Sequence, residues 1–334
     1  MLCGTTLYFF TVGMTSASLF ARAAAMPGVG YLLAALAITF TILDPRFASA
    51  PNLLNIGTQS STLLLLALPM TLIIMSEGLD LSMGAVLGLS GVVLAMRLAS
   101  GGSLIAALML AVAVGIVFGL ANGLLVVRLG IPPFVTTLGT LYVAQGLALV
   151  ATGGQSVVGI GDALPALYES RLLGIPFSIV IALAAFAVFR FALRQTRWGA
   201  YVSAIGGNRE SLVLAGVRAN RYHVGLYVLA GAMAGFAALL LTGRMSSGHP
   251  TAAIGMEFDA IAAVIVGGTS FERGKGSLGG TLVGVVTIGV LKNGLNVLEV
   301  ASSLQVASIG VLTIVALVIE SFLQPAARRA WRSA

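Results

Sequence analysis

Two carboxylates three residues apart, Glu77 and Asp80, stand in SEGLDLSMG (76–84) with an apolar run on each side. A carboxylate at the edge of an apolar segment can carry a proton or a cation, accept hydrogen bonds from hydroxyls, or cap a helix. The connection is so short that it is either a tight turn at one membrane face or a broken helix dipping inward. The turn is the expectation, solvated, with Asp80 or Ser82 capping the next helix; a part in gating or in lining a pathway is the alternative. A second set of polar groups, Asn122, Gln145, Lys292, Asn293 and Asn296, falls within or near apolar runs. Amides in such places ordinarily hydrogen-bond neighbouring helices. They are also the groups that would meet the hydroxyls of a neutral, polar substrate. Lys292 has Glu299, Glu257 and Asp259 as acids that could pair with it. In GIPPFVTTLGTL (130–141), Pro132 and Pro133 favour a helix start, because a first-turn proline loses no hydrogen bond. Thr136 and Thr137 then sit in the early helix, bonded to backbone or facing substrate.

Phosphate and metal chemistry are less well served. GKGSLG (274–279) matches the spacing of a dinucleotide-binding turn, with Glu299 about twenty residues on, but a strongly apolar segment follows it and no βαβ pattern surrounds it. The phosphate-loop pattern fails too: Thr269 stands where its first glycine belongs, and Gly276 follows Lys275. No ATP site is expected on this chain, and FERGKGS (271–277) reads as a turn anchored by Arg273 and Lys275. Cys3 is the single cysteine, which excludes an internal disulfide or a cysteine cluster. His223 and His249 lack ligand-spaced partners, so no metal site is expected.

The elements that must hold these groups follow from composition. The chain is 58% hydrophobic and 9% charged, with a mean hydropathy of +1.04. Soluble domains are about 45–50% apolar and about 25% charged. Continuous apolar runs, rather than the alternation of barrel strands, point to an all-α, polytopic membrane protein. Ten apolar segments are legible: 28–43, 57–76, 82–98, 104–127, 134–151, 175–193, 224–243, 258–269, 278–297 and 304–322. The eighth is short for a span, and is expected to be tilted, broken or partly re-entrant. Residues 1–27 carry no assigned role, 28–323 form the membrane domain, and 324–334 form a basic tail. Glycines four apart (Gly115, Gly119 and Gly123; Gly231 and Gly235; Gly276, Gly280 and Gly284) predict close helix packing.

The longest polar interval is RQTRWGAYVSAIGGNRESLVLAGVRANRYH (194–223), which holds Arg194, Arg197, Arg209, Arg218 and Arg221. With the N-terminus in the cytoplasm and ten spans, thirteen of the eighteen basic residues fall inside, four outside, and Lys292 within a helix. The positive-inside rule therefore favours ten helices with both termini cytoplasmic. The same rule accounts for the formal charge of +7 through orientation at a lipid surface, not through nucleic acid.

GLDLSMG (78–84), GIPPFVTTLGTL, RQTRWGAYVSAIGGNRESLVLAGV (194–217) and MEFDAIAAVIVGGTSFERGKGSLGGTLVG (256–284) occur in this order. Together they resemble the ribose-type permease subunits of ABC sugar importers, in a superfamily shared with branched-chain amino-acid permeases. The resemblance covers roughly 52–320. It implies a subunit of the bacterial inner membrane that moves a monosaccharide or similar polyol. It also implies a second permease copy or paralogue, cytoplasmic ATPases that hold the ATP and Mg, and a periplasmic binding protein. It further implies that Gly206, Gly207 and Asn208 lead into a coupling helix, 209–215, carrying Arg209, Glu210, Ser211, Leu212 and Ala215 and ended by Gly216. Asn208 is a good N-cap and Gly216 a good stop, and Leu212 to Ala215 offer apolar surface. An amphipathic helix lying on lipid is the other reading of this stretch. Two departures stand out: Glu210, Ser211 and Leu212 replace small residues, and FERGKG replaces a more glycine-rich turn. An amino-acid permease of the same superfamily and an ion-coupled secondary transporter using the break near Glu77 and Asp80 are the competing functions.

Overall fold

The computed structural model describes residues 28–270, 274, 276–315 and 318. The expectations for 1–27, for Arg273 and Lys275, and for the basic tail lie outside the described residues. The helices are α1 (Gly28–Leu43), α2 (Ala50–Met75), α3 (Met83–Ala99), α4 (Leu104–Val127), α5 (Pro133–Thr152), α6 (Ala163–Glu169), α7 (Phe177–Gln195), α8 (Arg197–Leu214), α9 (Ala219–Met245), α10 (Met256–Val266) and α11 (Leu278–Val297). A last helix, α12, covers Ser302–Val315. Six of these, α2, α4, α5, α7, α9 and α11, are long and apolar enough to cross a membrane; α1, α3 and α12 are shorter apolar helices.

The fold is built around α2. Every residue from Ser60 to Met75 is buried, so this stretch of α2 has no lipid face and presents mostly apolar side chains all round, the pattern of a helix at a protein's centre. It packs against α7, α9, α10 and α11. Its first turns, with Pro51, Asn52 and Asn55, precede the apolar run, so the helix starts at Ala50 and not at 57. In the same way α9 begins at Ala219, five residues before its apolar run, on a polar first turn. Apolar runs mark the buried or lipid-facing part of a helix, while the backbone pattern continues into water until a cap or a glycine stops it.

The glycine ladders face one another. A Cβ at Gly115 would overlap the carbonyl oxygen of Gly231, and one at Gly231 would overlap that of Gly115. Gly119 meets the Tyr227 carbonyl, and Gly235 meets that of Ala111, so α4 and α9 touch backbone to backbone. Gly280 and Gly284 of α11 meet the Gly267 and Ala263 carbonyls at the end of α10 in the same manner.

The short eighth segment is a helix entered through irregular chain. Gly248 exchanges two backbone hydrogen bonds with Val157, 2.8 and 2.9 Å. The chain then runs along α3: Gly248 lies against Ala95, the Pro250 carbonyl against Gly88, and the Ala253 carbonyl and Glu257 against Gly84. Only at Met256 does the eleven-residue α10 begin. Irregular backbone at membrane depth is tolerated where protein covers it, and the bare faces of Gly84 and Gly88 provide that cover. Between α5 and α7 the apolar segments left unassigned chain; it holds α6 and a two-residue hairpin pairing Arg171 with Pro176 and Leu172 with Ile175.

Candidate functional site

The break between α2 and α3 is buried, not the solvated turn expected from its residue types. Ser76 ends α2 and Glu77 takes a left-handed backbone, φ +62°. Glu77 points out to solvent exposure, whereas Asp80 is 1% exposed. Asp80 Oδ1 accepts from the Ser82 backbone N–H at 2.9 Å and from the Ser82 hydroxyl at 2.6 Å. Ser82 itself makes no capping bond to α3. Asn122 of α4 donates to Ser82 Oγ at 2.9 Å and lies 3.5 Å from Asp80 Oδ1. Thr140 of α5 donates to Asn122 Oδ1 at 2.7 Å. A buried carboxylate is tolerable only with donors around it; here Ser82 and Asn122 supply them, and Thr140 in turn holds Asn122.

The other proposed path residues do not join this group as one lining. Thr137 donates to the Pro133 carbonyl at 2.8 Å, an ordinary backbone bond, and Thr136 Oγ1 is buried with no partner among the described residues. Gln145 is half-buried and Asn296 is exposed. Asn293 is buried and forms a reciprocal amide pair with Asn52 of α2, at 2.8 and 3.0 Å. Residue types pointed to neither Thr140 nor Asn52. Thr140 stands four residues after Thr136, on its face, and that spacing was a signal; Asn52 is 241 residues from its partner and left none. For the Asn52–Asn293 pair, a double-mutant cycle with alanine at both positions should give a coupling of about 1 kcal/mol, within the range of interhelical hydrogen bonds in membranes. Thermal unfolding of the four variants in detergent measures it.

Lys292 pairs with Asp259 of α10, not with Glu299. Glu257, two residues earlier in the same first turn of α10, is buried; its Oε1 accepts from the Gly255 N–H at 3.1 Å. The pair Asp259–Lys292 and the Gln59 and Ser60 side chains line a small cleft of about 180 Å³ between α2, α9, α10 and α11. Of the histidines, His249 Nδ1 accepts from the Thr251 N–H at 3.3 Å, and His223 lies beside Tyr227.

In the polar stretch, helix α8 is interrupted at Asn208, whose backbone is extended (φ −160°, ψ 79°). Asn208 Oδ1 accepts from the Ser211 N–H at 2.9 Å, the N-cap bond that its residue type predicts. The short helix it opens closes in a Schellman turn: Gly216 at φ +79° donates to the Val213 carbonyl, and Val217 donates to that of Leu212. Arg209 donates to Asn220 at 2.6 Å, tying the helix to α9. Leu212 is buried in this chain's own cluster with Ile205 and Ala219, a correction to its expected place on an open apolar surface. Val213, Leu214 and Ala215 stay exposed, Leu214 by 82%. Gly206 roots the segment: a Cβ there would overlap the Met75 carbonyl, the last of α2, and sit 2.9 Å from Gly274 Cα. The short helix is thereby attached to the end of the central helix, just before the Asp80 break.

Residues 52–317 match the family model described as "Branched-chain amino acid transport system / permease component". The chain belongs to this permease family. The permease is 38% identical to a ribose import permease protein of Bacillus subtilis strain 168, over 85% of this chain and 89% of that one. It is 34% identical to a D-allose transport system permease protein of Escherichia coli K12, over 89% and 91% of the two chains. An L-arabinose transport system permease protein of the same strain is 31% identical over 90% and 92%. No solved structure matches the permease.

Proposed function

We propose that this permease is the membrane subunit of an ATP-driven importer of a monosaccharide or similar polyol. Three relatives named for sugars, each aligned over at least 85% of this chain, support the substrate class. The family description names amino acids, but a substrate with fixed charges calls for unpaired charges or helix ends in the path. Among the described residues the Lys292 charge is met by Asp259, the buried Asp80 carboxylate by the Ser82 N–H and hydroxyl, and the buried Glu257 carboxylate by the Gly255 N–H, while the Asp44–Arg46 pair stands in an exposed turn. The ten-span topology, with both termini cytoplasmic in a bacterial inner membrane, is supported by the six long helices, the three shorter ones, and α10 with its lead-in segment.

The observation that carries the coupling role is the seating of Gly206 on the end of α2. Cytoplasmic ATPases, which hold the ATP and Mg, receive the capped helix after Asn208; Arg209, Glu210, Ser211, Val213, Leu214 and Ala215 face them. A push on this helix reaches the central helix directly through Gly206 and Met75, and reaches α4 and α5 through the Asp80 network next to it. That network satisfies its own donors internally, so its part is to hold the α2–α3 break in one geometry while the bundle moves, not to bind sugar. Energy enters as a difference in ATPase affinity between two states of the bundle. A periplasmic binding protein delivers the sugar, and a second permease copy or paralogue completes the pathway.

Leu214→Glu should cut co-purification of the ATPase at least about tenfold, because burying a leucine side chain is worth roughly 1.5–3 kcal/mol, while membrane insertion stays normal. Full ATPase capture by this variant would remove α8 from the interface. The function itself is tested by reconstituting the permease with its ATPase and binding protein in vesicles. Sugar uptake that requires ATP supports the reading; uptake driven by a proton gradient without those partners refutes it.

A further inference from the structure

An open cleft of about 560 Å³ lies beside the turn that ends the short helix of α8. Its lining includes Trp198 and Tyr201 from the first half of α8, Gly216 from the turn, and Arg218, Arg221 and Tyr222 from the start of α9. Tyr201 and Tyr222 stand edge to face with ring centroids 5.1 Å apart. Arg218 and Arg221 are exposed, and neither forms an ion pair among the described residues. Two unpaired guanidiniums next to three amphipathic rings form a site for a phosphate-bearing anion: the guanidinium fork matches phosphate oxygens, and Trp and Tyr rings favour the headgroup layer.

The position selects the source of that phosphate. The cleft sits where two spanning helices, α7 and α9, leave the apolar layer at the polar stretch. Basic pockets at such helix ends take anionic lipid headgroups. We infer that this cleft binds the headgroup of an anionic phospholipid. A bound headgroup braces the Gly216 turn, which the cleft shares with the proposed docking helix, so that lipid composition sets how firmly that helix is held. This regulatory consequence rests on the docking reading given above; the lipid site does not.

The chain has two tryptophans, Trp198 and Trp331, and the first lies in the cleft, which supplies the probe. The full-length Trp331→Phe permease, without ATPase or sugar, is reconstituted in vesicles containing either phosphatidylglycerol or phosphatidylcholine brominated at the same chain position. Trp198 fluorescence should be quenched by the brominated phosphatidylglycerol at a mole fraction roughly tenfold lower than by the brominated phosphatidylcholine, as two arginines near an anionic surface imply. Arg218→Gln with Arg221→Gln should bring the two lipids to the same midpoint, and the paired Arg→Lys variant should restore only part of the difference, because an ammonium keeps the charge but lacks the fork. Equal quenching by both lipids in the parent protein, or an unchanged preference in the double glutamine variant, overturns the proposal. Relief of the quenching by millimolar inorganic phosphate at constant ionic strength shows a free-anion site instead, and overturns it as well. Because the assay contains neither ATP nor transport partners, its failure leaves the importer reading untouched.

Discussion

Gly115→Leu should leave little folded permease. The backbones of α4 and α9 touch at this position, with the carbonyl of Gly231 where a side chain would begin. A leucine here meets backbone atoms that cannot rotate away, so the two helices must part along the whole run from Ala111–Gly235 to Gly119–Tyr227. Overpacking in a core costs about 1–3 kcal/mol when side chains can adjust. Here the seam itself is lost, and the expected destabilisation is about 3–5 kcal/mol, at the exceptional end for single substitutions. Yield of monodisperse protein after detergent extraction, together with its thermal midpoint, reads the effect. Gly139→Leu on α5 is the control, since a Cβ there meets nothing within 4 Å. If both variants behave alike, close packing at α4–α9 is not what holds the bundle.

Asp80→Ala should rank next. The substitution strips the acceptor from the Ser82 N–H and the Ser82 hydroxyl, both buried with it. Each buried donor left unmade costs about 1–3 kcal/mol, so the loss should be about 2–4 kcal/mol. Asn122→Ala removes an interhelical partner without exposing a charge and should cost about 1 kcal/mol. The two share Ser82, so the double variant should cost less than the sum. ATP-driven uptake by Asp80→Ala, normalised to folded protein, should fall as well, because the break beside Met75 no longer has one defined geometry. Wild-type thermal stability in Asp80→Ala would mean that water reaches the carboxylate and that the network contributes nothing.

What was legible in the residues was local. The N-cap at Asn208 and the stop at Gly216 depend on bonds spanning three to five residues, so residue type and spacing suffice to read them. The glycine ladders were legible for the same reason: a repeat of four places every member on one face. The irregular entry to α10 showed itself as a run too short to span. What was not legible involved partners far apart in the chain. Asp80 looked like a solvated cap because nothing in its neighbourhood announces Asn122 and Thr140, which close over it from α4 and α5. Asn293 reads as an interhelical amide first and a path residue second, but only the fold shows that Asn52 is its partner; Leu212 reads as docking surface, yet Ile205 and Ala219 cover it.

Composition and local pattern thus determined by themselves that this is a helical membrane protein with a capped polar helix in its longest hydrophilic interval. Only the tertiary structure decided which helix is central, which ladder meets which, and which polar groups are spent on one another. The physical reason is one of range. Hydropathy and capping act along the chain, whereas in an apolar medium a polar group must find its partner wherever the packing brings one.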